Sequence, residues 1–378
     1  MADQEGAKAP FLTLPPELVE LVAAELRPKD LLALRQVCRD VHNGVQRPFI
    51  QAHFSEKSFL LPSMESMQAL VDISEHAAFG KALKQINLLA LAVPKKPSGY
   101  WLQSRRTRRH QEPDRNRDER VQNRDGRRLY QQMCEVQDAF WRSHGWSSFL
   151  IKALENLNKS VGSIWIAFSS VRGAFKSACG LKSLELMLGL TDCLVSIVVG
   201  NTDSAALLRA ISEGGCPVVG FTSGGSTQGK PAPPQLLTES TNARGASIFA
   251  TLRFADIYLC EPPVPHKETL GRMASFLVGA HSLEHVVLRR ATSYTFRSHT
   301  DVLDTDVHLP KLQKIEIQGM YPASHDLTAF CKRHKESLRR VEISGPWNRL
   351  ALQHHTLAQR REGVKRTLMD AGVEFEVS

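Results

Sequence analysis

The chain contains no CxxC pair, no apolar run long enough to span a bilayer, and no complete phosphate-binding or hydrolase motif. Each absence removes a class of function. Its seven cysteines are odd in number and scattered. Cys38, Cys179, Cys193, Cys216, Cys260 and Cys331 lie in or near apolar stretches, and read as buried thiols of a reduced compartment rather than as metal ligands or disulfide partners. The apolar stretch Cys193–Val199 is far shorter than the ~20 residues that a membrane-spanning helix needs. The opening residues, MADQEGAKAP, are polar and carry acids, unlike a secretory signal. The expectation is a chain without a membrane role, in the cytoplasm, the nucleus or both.

Motifs that suggest chemistry are incomplete. From Gly224 to Pro231 the sequence reads GGSTQGKP, with Gly229 and Lys230 at phosphate-loop spacing. Pro231 stands where a hydroxyl should hold magnesium, and Pro233 and Pro234 bar the helix whose N-terminus would cradle phosphate. His281 and His285 are four apart, but a break at Gly279-Ala280 spoils a helical pairing. His354 and His355 are adjacent and face different ways, and neither set has a third ligand. No Ser or Cys sits in a G-x-S-x-G elbow. The expectation is a non-enzyme without a cofactor or metal.

What is abundant is positive charge, and its location matters. The net charge is +9, which invites a nucleic-acid reading. Between Lys95 and Arg128 twelve Lys or Arg face five Asp or Glu, so this one segment carries +7 of it. Its acids are interleaved with its bases, its only aromatics are Tyr100 and Trp101, and it has no periodicity. It reads as a basic disordered insertion at about 94–128, with nucleic acid unlikely as a partner.

The most informative stretch is Leu14–Val45. Leu18, Leu21, Val22 and Leu26 fall at helical spacing; Arg27-Pro28-Lys29-Asp30 interrupts them; Leu31, Leu34, Val37, Cys38 and Val41 resume the apolar pattern. Pro15 and Pro16 suit a first helical turn, where a missing N–H costs nothing, and Glu17 suits the positive end of the helix dipole. Asp30 can cap the second helix. This succession resembles the F-box: Leu14, Pro15, Glu17 and Leu18 at the opening, Pro28 at the break, then Leu31, Leu34, Val37, Cys38 and Arg39. Val41 stands where that family often carries an aromatic. The resemblance implies docking on a Skp-type adaptor and, through it, on a cullin. It makes Leu14, Pro15, Glu17, Leu18, Leu31, Leu34, Val37 and Cys38 the adaptor-binding candidates.

Downstream a strand-plus-helix unit recurs. Phe59 and Ile86 lie 27 residues apart in corresponding strands, with a helix between them that Ser63 can cap and whose apolar face is Met64, Met67, Leu70, Val71 and Ile73. Leu312-x-x-Ile315-x-Ile317 and Leu338-x-x-Val341-x-Ile343 stand 26 residues apart, and Leu283-x-x-Val286-x-Leu288 precedes them by 29. Alternation at Leu312, Ile315 and Ile317 places these inside and Gln313, Lys314, Glu316 and Gln318 outside. The pattern resembles the leucine-rich repeat, with irregular spacing and without the usual asparagine. A doubly wound α/β domain would show similar alternation. Helices are expected over Leu129–His144, Phe149–Leu157, Asp203–Ile211, Leu270–Val278, Leu327–Lys335 and Gln353–Met369, the last as an end cap.

The expected fold is therefore α/β: a tail (1–11), a small all-α F-box domain (12–53), and an irregular leucine-rich-repeat-like solenoid with a curved parallel sheet (54–378). The F-box-then-repeat order resembles F-box proteins of filamentous fungi. The implied function is a non-catalytic substrate receptor of a Skp–cullin–F-box ubiquitin ligase, holding an unknown target protein on its repeats. The alternative is a repeat scaffold whose F-box acts outside a ligase.

Overall fold

The computed structural model describes residues 14–93, 118–169, 178–179, 181, 195–196, 201–224, 249–259, 279–290, 308–319, 324–344 and parts of 362–377. Four short helices open it: α1 (Pro16–Ala24), α2 (Pro28–Arg35), α3 (Arg39–Gly44) and α4 (Gln46–Phe54). An α/β region follows without a gap. Its strands are β1 (Glu56–Leu60), β2 (Gln85–Leu89), β3 (Leu91–Ala92), β4 (Ile164–Ser169), β5 (Ala178–Cys179), β6 (Val195–Ser196), β7 (Val218–Gly224), β8 (Phe254–Leu259), β9 (His285–Arg290), β10 (Lys314–Gln318), β11 (Arg340–Ser344) and β12 (Glu374–Val377). Its helices are α5 (Met64–Glu75), α6 (Ala77–Ala82), α7 (Asp118–Arg142), α8 (Trp146–Ser160), α9 (Asn201–Gly214) and α10 (Ser324–Arg333).

Ten of the strands form one sheet in the order β12-β11-β10-β9-β8-β7-β4-β2-β1-β5. Every pairing in it is parallel. From β1 to β12 each sheet strand is laid beside the one before it, always on the same side; only the two-residue β5 returns to the far edge. A doubly wound sheet reverses its strand order at a switch point; among the described strands only the two-residue β5 departs from the one direction. β3 and β6 make a separate antiparallel pair.

Period-2 alternation explains the layering. Ile164, Ile166 and Phe168 are buried on one face of β4, and Ile315 and Ile317 on that of β10. They share a core with Met67, Leu70 and Val71 of α5, Leu150, Leu154 and Leu157 of α8, Leu207 and Ile211 of α9, and Leu327, Phe330 and Cys331 of α10. Helices thus cover one face. Leu283, Leu312 and Leu338, the leading leucines of the repeated pattern, are all in that core, and Val286, Ile315 and Val341 stand side by side in register. Ser63 caps α5 as expected, its Oγ accepting from the Ser66 amide at 3.2 Å.

Several expectations need correction. Helix α7 begins at Asp118, inside the segment read as a disordered insertion over 94–128. Its later half carries a stripe, Tyr130 and Cys134, that covers Leu60, Leu89, Leu91 and Val93, and Gln137 Oε1 accepts from the Val93 amide at 3.1 Å. The high charge of its first turns hid a helix whose apolar stripe starts only later. Met64 is exposed rather than part of the α5 apolar face, because it sits in the first turn, before the helix reaches the sheet. Cys38 is exposed. Cys216 and Cys331 are buried as expected, and burial pushes both thiols up to about 11. The stretch after Gly224, His354 and His355, the helix expected at 270–278, residues 353–361 of the one expected at 353–369, Cys193 and Cys260 lie outside the described residues, as do the tail 1–11 and residues 94–117 of the insertion.

Candidate functional site: an apolar face on the N-terminal helices

Pro16 is the first residue of α1 and Pro28 that of α2. Pro28 therefore starts a helix rather than merely breaking one: its fixed φ suits the first turn. Asp30 lies inside that turn and pairs with Arg27 at 2.6 Å instead of capping α2. Inside the bundle, Val19, Ala23, Leu31, Val41, Val45, Phe49 and Ile50 form a compact core, with Leu26 and Leu34 packed against it. Polar ties hold the crossing. His53 Nε2 donates to the Pro28 carbonyl at 3.1 Å. Arg35 donates to His42 Nε2 at 3.1 Å, and its guanidinium lies 4.0 Å from the Phe49 ring centroid.

Helix α1 carries two apolar stripes. Val19 and Ala23 point inward, while Leu14, Leu18, Leu21 and Val22, spaced at i, i+4, i+7 and i+8, point outward. Leu21 is 64% exposed. Helix α2 repeats the division: Leu31 is 1% exposed, whereas Leu32 and, just past the helix, Val37 (69%) face solvent. A helix apolar on both sides is expected to be covered on both sides. Clustered exposed leucines of this kind mark an interaction surface.

The candidates read from the sequence therefore separate. Leu14, Pro15, Glu17, Leu18, Val37 and Cys38 are exposed; Leu31 is wholly inside the bundle, and Leu34 is partly so. Leu21, Val22 and Leu32 were not among the candidates and are among the large apolar side chains left open. The signal for the first two was present in the helical spacing of α1, but which stripe turns inward depends on α4, which sequence reading did not place.

A second surface lies on the opposite face of the sheet, beyond the corner where α7 covers Leu60 and Leu89. There the register aligns Gln85, Trp165, Gly220, Phe254, His285, Lys314 and Arg340 in one row and Asn87, Ala167, Thr222, Asp256, Val287, Glu316 and Glu342 in the next. A one-residue shift in the pairing between Ile164 and Trp165 brings Gly220, not Val219, opposite Trp165. The indole occupies the space above that glycine, where any Cβ would collide with it. It donates to Thr222 Oγ1 at 3.2 Å and meets Phe254 at 4.6 Å, which in turn meets His285 edge-on at 4.9 Å. Beyond this aromatic row the face is ionic. Arg289 pairs with Asp256 at 2.7 Å and donates to Gln318 at 2.8 Å. Lys314 bridges Glu316 and Glu342, both at 2.8 Å, and His285 contacts Glu316 at 2.9 Å. Burial pushes the Glu316 carboxyl up, but Lys314 and then His285 outweigh it and hold it below its ordinary value; the same carboxylates raise the Lys314 ammonium.

Among the described residues no group of three or more His, Cys, Asp or Glu side chains is placed to hold a metal ion, and no helix is long and apolar enough to cross a membrane. No curated protein matches the chain. Residues 11–48, the segment that carries both apolar stripes, match the F-box domain family, and the N-terminal helices of this protein are an F-box domain.

Proposed function

We propose that the chain is the substrate receptor of a Skp–cullin–F-box ubiquitin ligase. F-box proteins are in general non-catalytic adaptors, and the domain implies a Skp-type partner and a cullin behind it. The observation that carries the reading is the outward stripe of Leu14, Leu18, Leu21 and Val22, with Leu32 and Val37, exposed on a domain whose core closes without them. The α/β region is read as an irregular leucine-rich-repeat-like solenoid that holds a target protein. Support for this comes from the one-directional strand order and from leading leucines buried at corresponding places. Its open face, where Trp165 and Phe254 interrupt a polar surface, is the side offered to the target; half-buried aromatics are frequent anchors of protein interfaces. The chemistry belongs to a recruited conjugating enzyme, and the receptor raises the effective concentration of target lysines. The cytoplasm or nucleus suits this role, and the F-box proteins of filamentous fungi are the relatives proposed for it.

The test is co-purification from cells with the tagged full chain. Recovery of a Skp-type adaptor together with a cullin supports the reading. Adaptor without cullin favours a scaffold outside a ligase, and recovery of neither overturns both.

A further inference from the structure

On the open face of the sheet, Trp165 has one thing left to offer a partner. Its indole N–H is engaged by Thr222 Oγ1 at 3.2 Å. One side of the ring lies on Gly220, where no Cβ would fit, and Phe254 stands against it at 4.6 Å. The side chain is half-buried, and its open part is the ring face turned away from the sheet. With its only donor taken, the indole has no hydrogen bond to give to a carboxylate or carbonyl of a partner. The ring face carries the negative side of the aromatic quadrupole and attracts cations.

The charges around it favour the same sign of partner. The row that holds Trp165 continues through Gln85 to Glu56 of β1. Glu56 is exposed, and its carboxylate accepts only from the neutral amides of Gln85 and Asn87, at 3.3 and 2.8 Å. No ion pair involves it among the described residues. The cations of this face are already engaged: Arg289 by Asp256, Lys314 by Glu316 and Glu342, and Arg340 by Glu342 at 2.7 Å. An acidic partner would have to break these pairs, whereas a basic one finds Glu56 without a cation. On the outward rows the four carboxylates of Glu56, Asp256, Glu316 and Glu342 stand against the three cations, which leaves −1. The register adds Glu374 and Glu376 beside Arg340 and Glu342 at the end of the same two rows. The chain as a whole carries +9. A face opposite in sign to its own chain is complementary to a basic partner.

We propose that the open face of Trp165 and the Glu56 carboxylate form a two-point slot for a basic, extended segment of the target protein, with an arginine on the indole and a second Arg or Lys at Glu56. The slot itself stands on this geometry; that its occupant is the target rests on the ligase reading above. Arginine suits the indole better than lysine, because a planar guanidinium stacks on the ring while its N–H groups stay free in their plane. The spacing fits. Glu56 and Trp165 are two strands apart, about 10 Å. Side chains two residues apart on an extended segment leave the same side about 7 Å from each other, and the length of arginine covers the difference.

The test titrates the full chain into fluorescein-labelled Arg-Ser, Glu-Ser and Gly-Ser repeats of one length, followed by anisotropy. The Arg-Ser repeat, whose arginines share one side when extended, should bind about tenfold or more tighter than the other two. Trp165→Leu should weaken it about fivefold. Glu56→Gln should weaken it about threefold, since it keeps an acceptor for Gln85 and Asn87 and removes only the charge. Where Trp165→Leu loosens the sheet, Glu56→Gln, on an exposed side chain, decides. Equal affinity for the three repeats, a preference for the Glu-Ser repeat, or binding of the Arg-Ser repeat that a folded variant leaves unchanged overturns the slot. The identity of the occupant is tested in a reconstituted adaptor–cullin complex, with a lysine-bearing carrier fused to the Arg-Ser repeat. Ubiquitin transfer to it should be faster than to the same carrier with the Gly-Ser repeat, and slower with Glu56→Gln. Equal rates for the two carriers overturn the assignment of the slot to the target. Failure of the wild type to bind any Skp-type adaptor overturns the ligase reading, and the peptide titration still judges the slot.

Discussion

The F-box domain and the open face of the sheet are both surfaces, but they treat water differently. On the first, large apolar side chains stand exposed without partners from their own domain. On the second, charged groups of β8 to β11 are paired within and across strands, and the aromatics are packed against one another. The first surface gains from any partner that removes it from water. The second gains only from a partner that replaces the contacts it already has, and so it can discriminate. The dock and the grip proposed above thus differ in the chemistry of their exposed rows.

The sharpest way to break the comparison is to place a charge under the selective face. Ile315→Asp would bury an unpaired carboxylate between Val286 and Val341, at a cost of about 3–5 kcal/mol. Loss of protease resistance over β9 to β12 is the expected readout; a variant as resistant as wild type would mean that β10 faces the other way. Next in size is a pair of leucines on the two sides of the F-box. Leu31→Ala should destabilise the domain by about 2–4 kcal/mol in a denaturant titration. Leu18→Ala with Leu21→Ala should leave that titration alone and weaken adaptor binding by about 2–4 kcal/mol. Equal effects of the two on stability would show that the outward stripe is not outward.

Gly220→Ala should cost about 1–3 kcal/mol, because the methyl displaces the Trp165 ring, and indole fluorescence should report the movement. Smaller again is a pH effect. His334 is buried beneath α10; its Nδ1–H donates to the Phe330 carbonyl at 3.0 Å, and its Nε2 accepts from the Leu309 amide at 3.1 Å. Burial pushes its pKa below the ordinary value; the Phe330 bond opposes this, and His308 and Arg333 add to the lowering. The unfolded chain therefore takes up a proton where the folded chain does not. Stability should be full above about pH 6.5 and decline as pH falls below it. His334→Gln should flatten that slope in melting curves taken between pH 7 and 5. The smallest change in folding belongs to Glu316→Lys, about 1 kcal/mol or less by melting temperature, even though it reverses the charge at the centre of the ionic row. A change in the proteins captured, with the fold intact, is the expected result.

Much of the sheet was legible because alternation with period 2 is self-checking: once Ile315 and Ile317 are inward, Lys314 and Glu316 must be outward, and they are. The F-box was legible as a succession of residue types, yet its surface was not. Leu31 and Leu21 look alike in the sequence, and only the crossing of α4 sends one inward and leaves the other open. The aromatic row was missed altogether. Trp165 and Gly220 are 55 positions apart, and it is the one-residue slip in pairing that makes them neighbours. Asp118–Arg128 was misread because seven of its eleven residues are charged, counting Asp, Glu and Arg, and local composition outweighed a helix whose apolar anchors, Tyr130 and Cys134, come only later.

The one-directional strand order also has a consequence in time. In the ten-stranded sheet each strand after β1 finds its neighbour already made when it leaves the ribosome, so most of the sheet can assemble in the order of synthesis, at low loop-closure cost. The first edge is the exception. Ser66 holds the end of β1 through the Leu60 amide and donates at 2.8 Å to the Cys179 carbonyl, 113 positions later. Until β5 emerges and closes that long loop, the outer side of β1 has no strand beside it. The oldest edge of the molecule is the last of the early ones to be sealed, and a pause in translation before residue 178 would leave that edge open for the length of the pause.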